Sequence, residues 1–284
     1  MLRLEAVIKR FGNITAVNGL TLEVRTGEVM GLLGPNGAGK TTTISMMVGL
    51  LTPDSGQVHI GTKASMRSPS EPAARSMLGI APQSLALYDE LSARENLAFF
   101  GSLYGLKGAA LKDRVEAVLA LAELTERGDD RVTTFSGGMK RRLNMGAALL
   151  HEPAIVLLDE PTAGVDPQSR SKLFDIVKQL KAAGKTVVYS THYMEEAERM
   201  CDRVAIIDKG RLLALDTVAG LIGTYGGTSG LELVRAGGVE HIETSDPIGE
   251  LTRCVNAGGV MSARINGPTL ESVFLTLTGR NLRD

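Results

Sequence analysis

Residues 34–41 of this chain read Gly34-Pro35-Asn36-Gly37-Ala38-Gly39-Lys40-Thr41. They match the phosphate-binding pattern G-x-x-x-x-G-K-[ST], in which glycines let the backbone turn sharply and point N–H groups at a phosphate. An apolar run over residues 29–33 precedes the loop, and residues 42–48, which contain no Pro or Gly, follow it. This order predicts a strand, a loop and a helix, as the pattern requires. Lys40 is expected to reach the β- and γ-phosphates of a nucleotide, and Thr41 to hold Mg²⁺.

The composition is that of a globular protein with balanced charge. Of the 284 residues 43% are hydrophobic, and 31 basic residues are balanced by 32 acidic ones. This balance gives no reason to expect nucleic acid or an anionic membrane surface as a partner. No apolar run approaches the roughly 18 residues needed to cross a bilayer, so a role at a membrane is expected to depend on another chain.

The cysteines and the N-terminus predict a reducing, cytoplasmic location. Cys201 and Cys254 are far apart and lack the spacing of metal ligands, and residues 1–10 lack the apolar core of a signal peptide.

Two hydrophobic patterns predict the fold class. Leu2, Leu4, Ala6 and Ile8 alternate with mostly polar residues, as do residues 20–24, which is typical of half-buried antiparallel strands. Continuous apolar runs are typical of strands covered on both faces, and these occur at residues 29–33, 154–158, 186–189 and 204–207. The chain is therefore predicted to be an α/β protein with a mostly parallel, helix-covered core sheet and an N-terminal antiparallel β subdomain.

Two of the predicted helices have recognisable starts. Ser92 and Glu95 match a capping box before a helix over residues 97–104. Asp166 and Pro167 supply an N-cap and a first-turn proline for a helix that is predicted to reach Gly184.

The sequence changes in character after Asp216, where five glycines crowd residues 220–230. We predict a nucleotide-binding domain over residues 1–216, a glycine-rich linker over 217–230 and a small α+β accessory domain over 231–284. In the accessory domain we expect strands near 231–234 and 260–265, and helices from Pro247 and over 269–277.

Asp159 and Glu160 follow an apolar strand and supply the carboxylates that phosphate chemistry needs. An acid at the carboxyl end of such a strand can bind Mg²⁺, and the next acid can polarise a water toward the γ-phosphorus. We therefore assign Asp159 to the metal and Glu160 as the general base. The alternative, an ordinary acidic turn before Pro161, is disfavoured because the chain also contains the phosphate-binding loop.

Residues 134–143 read Thr-Phe-Ser-Gly-Gly-Met-Lys-Arg-Arg-Leu, which resembles the signature motif of ABC transporter ATPases. Ser136 and two glycines that open a helix form a second anion site, because the hydroxyl, the free N–H groups and the helix dipole face one point. The alternative is merely a well-capped helix. The resemblance implies a helical signature subdomain that closes on the γ-phosphate of an opposing subunit, and therefore a homodimer or a pairing with a second ATP-binding subunit.

The resemblance covers residues 2–216, about three quarters of the chain, and implies further roles. Phe11 would stack on adenine, Gln83 would sense Mg²⁺ and the γ-phosphate beside the transport partner, and His192 would contact the γ-phosphate. Residues 164–166 resemble the D-loop, which crosses the dimer interface. Without the resemblance, Phe11 would be read as core, Gln83 as a solvated loop residue and Asp166 as a helix cap.

These assignments predict a site for ATP and Mg²⁺. Assigned to the nucleotide are Phe11, Gly34, Pro35, Asn36, Gly37, Ala38, Gly39, Lys40, Thr41, Thr42, Ser136, Gly137, Gly138 and Asp166. Assigned to catalysis are Glu160, His192 and Gln83, and assigned to the metal are Thr41, Gln83 and Asp159.

Within the family, residues 136–143 and the C-terminal residues 268–274 and 278–280 resemble the bacterial drug-resistance and nodulation-factor exporter branch. Met139 and Phe135 depart from the Gln and Leu found in many members, but neither change removes a phosphate donor. The resemblance implies a subunit on the cytoplasmic face of the membrane that drives export, of a drug, antibiotic, lipid or oligosaccharide-like compound, through a separate permease.

Two other functions compete with export. A soluble ABC ATPase that acts on ribosomes or DNA is disfavoured by the single cassette, the balanced charge and the lack of sustained heptads between Gln83 and Ser136. A small-molecule kinase would leave residues 136–138 and His192 unexplained.

Overall fold

The structure, a computed structural model, describes residues 1–62 and 64–279. The chain divides into two compact units, the first ending at Leu215 and the second beginning at Asp216. Arg280, part of the C-terminal pattern quoted above, lies outside the described residues.

The strands are β1 (Leu2–Phe11), β2 (Ile14–Val24), β3 (Val29–Leu33), β4 (Ser55–Thr62), β5 (Ser65–Arg67), β6 (Leu78–Ala81), β7 (Ile155–Asp159), β8 (Thr186–Thr191), β9 (Arg203–Asp208), β10 (Arg211–Thr217), β11 (Ser229–Arg235), β12 (Gly238–Thr244) and β13 (Val260–Asn266). The α-helices are α1 (Lys40–Met47), α2 (Pro72–Arg75), α3 (Ala93–Leu103), α4 (Gly108–Leu121), α5 (Gly137–Ala147), α6 (Pro167–Ala182), α7 (Met194–Met200), α8 (Val218–Tyr225), α9 (Pro247–Asn256) and α10 (Leu270–Thr278).

A six-stranded sheet forms the core of the first unit, in the order β10-β9-β3-β8-β7-β6. β3 pairs in parallel with β8 and β9, and β7 pairs in parallel with β6 and β8. Every residue of β3, β7 and β8 is buried, as continuous apolar strands require. The predicted α/β class with a mostly parallel core sheet is confirmed. Register places Leu33 beside Thr191 and Asp159 beside Ser190, so the carboxyl ends of three strands meet at one edge.

A separate sheet, in the order β2-β1-β4-β5, forms the N-terminal antiparallel subdomain. The predicted alternation holds for Leu2 and Leu4 but breaks at Ala6, which is exposed while Val7 is buried. Ala6 has a φ of 46° and lies in a register shift between Leu4 and Val7. A bulge inserts one residue and so moves the following side chains to the other face.

Three helices, α3, α4 and α5, surround their own apolar cluster. The Ser92 hydroxyl accepts from the Glu95 N–H at 3.1 Å and the Glu95 carboxylate accepts from the Ser92 N–H at 2.8 Å, which confirms the predicted capping box. The helix that it opens begins at Ala93, four residues earlier than predicted, and ends at Leu103. Asp166 caps α6, as predicted, through a bond from the Ser169 N–H at 2.9 Å. This helix ends at Ala182, two residues before the predicted end.

The second unit contains an antiparallel sheet in the order β12-β11-β13, and α9 packs against β11 and β13. Residues 217–230, which we predicted as a linker, contain α8 and the first residues of β11. Thr217 caps α8, and Leu221 is buried where α8 packs on α10. The prediction did not include β12, whose side chains are mostly exposed and show no regular alternation.

Within residues 1–62 and 64–279, no helix combines the length and the hydrophobicity that a membrane span needs.

Candidate functional site

The loops that follow β3, β7 and β8 meet around a cavity of about 570 Å³. Its lining residues are Ala16, Asn36, Gly37, Gly39, Lys40, Thr41, Thr42, Gln83, Glu160, Ala163 and His192. The structure therefore brings the phosphate-binding loop, Glu160, His192 and Gln83 together around one cavity. Ala16 and Ala163, which no motif points to, contribute to its walls.

Gly39 is what lets the loop turn directly into α1. Its φ is 100°, in the left-handed region, and an added Cβ would lie 2.4 Å from the Ala16 carbonyl oxygen. Only glycine combines this backbone conformation with so close an approach. The helix consequently begins at Lys40, two residues earlier than predicted, with the free N–H groups of its first turn at the cavity.

Lys40 is a buried cation at the centre of the site, with only 4% of its surface exposed. Its Nζ donates to the Gly34 oxygen at 2.8 Å and to the Pro35 oxygen at 3.0 Å, and lies 3.2 Å from Glu160 Oε1. The ammonium therefore lies between two backbone oxygens of the loop and the Glu160 carboxylate, at the cavity where a phosphate oxygen could also bind it.

Glu160 places its carboxylate between three polar groups. Oε1 faces Lys40, while Oε2 accepts from Gln83 Nε2 at 3.3 Å and lies 3.3 Å from His192 Nδ1, without a hydrogen bond between these last two atoms. The backbone of Glu160 has a φ of 45°, a conformation that costs a non-glycine residue about 1 kcal/mol or more. Its N–H donates to Ser190 Oγ at 2.9 Å, and Ser190 Oγ donates to Asp159 Oδ1 at 2.6 Å.

The residues assigned to Mg²⁺ supply oxygen ligands of the kind that this ion prefers. Thr41 and Gln83 line the cavity, whereas Asp159 is 3% exposed and lies behind the lining, next to Ser190. No group of three or more His, Cys, Asp or Glu residues in the described chain could hold a metal by itself. This donor set fits an ion that also takes oxygens from phosphate and water.

The signature residues form a second group outside the cavity lining. Ser136 caps α5, accepting from the Met139 N–H at 3.2 Å. A Cβ on Gly138 would lie 2.1 Å from Ser169 Oγ and 3.6 Å from Asp166 Oδ2, so a glycine there lets the starts of α5 and α6 lie side by side. The hydrogen bond from Ser169 lowers the pKa of Asp166. Residues 136–138 and Asp166 are thus neighbours, as a shared interface would need.

Phe11 lies apart from the residues that line the cavity. The residue is 49% exposed at the end of β1, and Lys9 Nζ lies 5.8 Å from the centroid of its ring.

Arg141 is a site residue that the sequence analysis did not assign. It donates to the backbone oxygen of Gln83, and also to that of Ala163 at 3.4 Å, so α5 holds two loops that line the cavity. Burial lowers the pKa of Arg141, and the nearby Glu160 carboxylate opposes this shift. Its place in the segment 134–143 was the only available signal.

Residues 17–163 match the family described as ABC transporter. The chain is a member of that family. It is 41% identical to the linearmycin resistance ATP-binding protein LnrL of Bacillus subtilis (strain 168), with 100% of both chains matched. It is 40% identical to a Nod factor export ATP-binding protein I of Burkholderia lata, matching 98% of this chain and 97% of that one.

Among solved structures, this ABC protein is similar to a dimeric, post-hydrolysis ATP-binding cassette bound to ADP and Pi. The TM-score is 0.68 at 27% identity, and the match covers 76% of this chain and 98% of the cassette. The ABC ATPase resemblance inferred from residues 134–143 is confirmed. The chain is an ATP-binding subunit with ATPase activity, and the comparisons favour the transporter interpretation over the soluble alternative.

Proposed function

We propose that this chain hydrolyses ATP to power export through a permease encoded as a separate chain, at the cytoplasmic face of the membrane. The observation that carries the proposal is the convergence of Lys40, Gln83, Glu160 and His192 on one cavity in an ABC cassette. Export is supported by the similarity over essentially the whole chain to proteins named for linearmycin resistance and Nod factor export.

ATP would bind with its phosphates against residues 34–42. The N–H groups at the start of α1 and the Lys40 ammonium stabilise the β- and γ-phosphates, because both present positive charge to the same point. Thr41, Gln83 and Asp159 would hold Mg²⁺, which neutralises charge on the phosphate oxygens. Phe11 would contribute adenine stacking from the end of β1.

Hydrolysis would use the groups that already face Glu160. The Glu160 carboxylate takes a proton from the attacking water as general base, while Gln83 and His192 contact the water and the γ-phosphate. Glu160 is only 7% exposed, so its carboxylate faces the cavity and has little contact with bulk water.

The second group of residues would act across a dimer. Ser136, Gly137, Gly138 and Asp166 do not line the cavity of their own chain, yet they present a helix N-terminus and a capped loop close together. In a pair of cassettes, identical or not, they would close on the ATP held by the other subunit. Nucleic acid has no role in this scheme.

The permease would dock on apolar side chains beyond Gln83. Tyr88 and Phe99 are 50% and 40% exposed and pack edge to face with ring centroids 5.0 Å apart, and Leu103 is 67% exposed on the same helix as Phe99. An exposed aromatic patch of this kind suits an apolar helix end of a membrane protein. Residues 231–284 form an accessory domain outside the cassette in this proposal.

The exporter proposal is tested on the assembled complex. The chain is co-expressed with candidate polytopic membrane proteins, and the purified complex is reconstituted in vesicles to which ATP and candidate compounds are added from outside. We expect co-purification, ATPase activity that a transported compound stimulates, and ATP-dependent movement of that compound away from the ATPase side. The proposal would be contradicted if the chain did not bind the membrane protein and its ATPase activity were stimulated by ribosomes or DNA.

A further inference from the structure

Glu196, on α7, has a buried carboxylate that the functional assignments above do not use. It is 2% exposed. Leaving a carboxylate unpaired in such a position would cost several kcal/mol, so its partners reveal why it is there. Three hydroxyls donate to it: Thr162 Oγ1 at 2.7 Å to Oε1, Thr191 Oγ1 at 2.9 Å to Oε2, and Tyr189 Oη at 3.0 Å to Oε2.

Two of these donors belong to the segments that carry the proposed catalytic groups. Thr162 follows Glu160 by two residues, and Thr191 directly precedes His192. Thr191 Oγ1 also accepts from the Tyr193 N–H at 2.9 Å, so the residues on both sides of His192 are tied to Glu196. One carboxylate thus connects the two loops whose side chains meet in the cavity.

These loops need side-chain support because the sheet no longer holds both of them. The pairing of β7 with β8 ends at Asp159 and Ser190, so the chain leaves the sheet at Glu160. Glu160 is in the left-handed conformation, which persists only where the surroundings enforce it. Ser190 holds its N–H, and the bond from Thr162 to Glu196 holds the chain two residues later.

The charges around Glu196 favour its role as an acceptor. Arg170 Nε lies 3.6 Å from Oε1, with the guanidinium 5.2 Å from the centre of the Tyr193 ring. Burial and the nearby Glu196 carboxylate raise the pKa of Tyr189 well above its ordinary value, so its hydroxyl remains a donor. Charged acceptors make stronger hydrogen bonds than neutral ones.

We propose that Glu196 is a positioning residue for ATP hydrolysis, which holds Glu160 and His192 in register by binding Thr162 and Thr191. It does not line the cavity. The inference rests on the roles proposed above for Glu160 and His192, and it adds a residue from α7 that lies outside the phosphate-binding loop, the signature segment and the D-loop.

The test compares Glu196→Ala and Glu196→Gln with Glu195→Ala, which removes an exposed carboxylate from the same helix. We expect Glu196→Ala to lower kcat by on the order of 10²-fold, with KM for ATP and ATP affinity unchanged, because misplacing a catalytic group by about 1 Å costs this much. Glu196→Gln should retain more activity, since hydroxyls can turn to accept from an amide. Glu195→Ala should match the wild type.

A double-mutant cycle keeps the test decisive if Glu196→Ala does not fold. Thr162→Val keeps the shape of the side chain and removes only the donor. If both residues act through one bond, the loss of kcat in Thr162→Val/Glu196→Gln is smaller than the product of the two single losses. Independent losses that multiply, or a wild-type kcat in folded Glu196→Ala, would overturn the proposal.

Glu160→Gln, measured in the same series, distinguishes a failure of the proposed base from a failure of the proposed positioning role. If Glu160→Gln hydrolyses ATP at the wild-type rate, the assignment of the base is wrong whatever the Glu196 variants do. If Glu160→Gln is inactive and both Glu196 variants are fully active, only the positioning role of Glu196 is refuted.

Discussion

Single residues in the cavity are coupled, because Lys40 and Glu160 form a buried ion pair with Nζ and Oε1 3.2 Å apart. Removing one partner of such a pair leaves the other charge without compensation, which costs more than the pair itself contributes. The Glu160 carboxylate would keep Gln83 and His192 as neighbours, with Arg141 nearby. Substitution of Lys40 therefore affects both the phosphate site and the proposed base.

Lys40→Ala should lower ATP affinity by roughly 10- to 100-fold, since a charge-assisted hydrogen bond contributes about 1.5–3 kcal/mol. The measurement is equilibrium binding of a fluorescent ATP analogue, with thermal unfolding to check that the variant is folded. Lys178→Ala, at an exposed position on α6, is the matched control and should bind as the wild type does. Unchanged affinity in Lys40→Ala would refute the assignment of residues 34–41.

At the scale of elements, His151 links helices to the core sheet. It lies after α5, stacks on Tyr104 with ring centroids 3.6 Å apart, and its Nε2 is 2.8 Å from the Leu78 oxygen of β6. Its Nδ1 is buried without a hydrogen-bond partner. Burial lowers the pKa of His151, the bond to Leu78 opposes the shift, and Arg114 and Lys185 lower it further.

This lowered pKa makes stability depend on pH in a definite direction. Below the ordinary value of 6.5, the unfolded chain binds a proton at His151 more readily than the folded chain, so the free energy of unfolding falls as pH decreases through that range. We expect wild-type protein to lose more stability between pH 7.5 and 5.5 than His151→Gln, whose amide can still donate to Leu78. Urea unfolding at several pH values measures this. Equal pH dependence of both proteins would show that His151 is not responsible.

At the scale of the whole molecule, the cavity and the signature residues 136–138 are two separate places where a helix begins. The cavity carries Lys40 and the start of α1, whereas the start of α5, with Ser136 and Gly137, has open space around Gly137. In the proposed function, the cavity of one chain holds the triphosphate and the start of α5 of the other chain contacts it. In the proposed mechanism, a pair of cassettes is needed to use both.

Glu160→Gln should therefore bind ATP normally, hydrolyse it about 10²- to 10⁴-fold more slowly because the proton acceptor is lost, and accumulate as an ATP-bound dimer. Size-exclusion chromatography with light scattering should show twice the monomer mass with ATP and Mg²⁺, but not with ADP. Adding Ser136→Arg places a bulky cation in the closing interface and should restore the monomer without loss of ATP binding. Adding Lys140→Arg, one turn along α5, should leave the dimer intact.

A dimer that survives Ser136→Arg would show that residues 136–138 do not form its contact. A Glu160→Gln protein with wild-type hydrolysis would exclude Glu160 as the base.

The sequence by itself determined the elements whose cause is local. The order of strand, glycine-rich loop and helix at residues 29–48, the Ser92 and Glu95 capping box and the Asp166 cap each depend on side chains within a few positions of one another. Continuous apolar runs identified the buried strands, although their ends differ by one or two residues. The strand end then placed Glu160 near Lys40, and the resemblance to ABC transporter ATPases added His192 to the same site.

Tertiary structure alone decided the features that join distant parts of the chain. Thr162 and Glu196 are 34 positions apart, and Gly138 is next to Ser169 only because α5 and α6 begin side by side. The bulge at Ala6, the helix within residues 217–230 and the mostly exposed β12 also differ from local patterns, because pairing and burial against other elements outweigh the preference of a short segment. In the sequence, Glu196 on α7 has the appearance of a surface charge. Its burial is explained only by hydroxyls from a different loop and strand, which bind it in the folded chain.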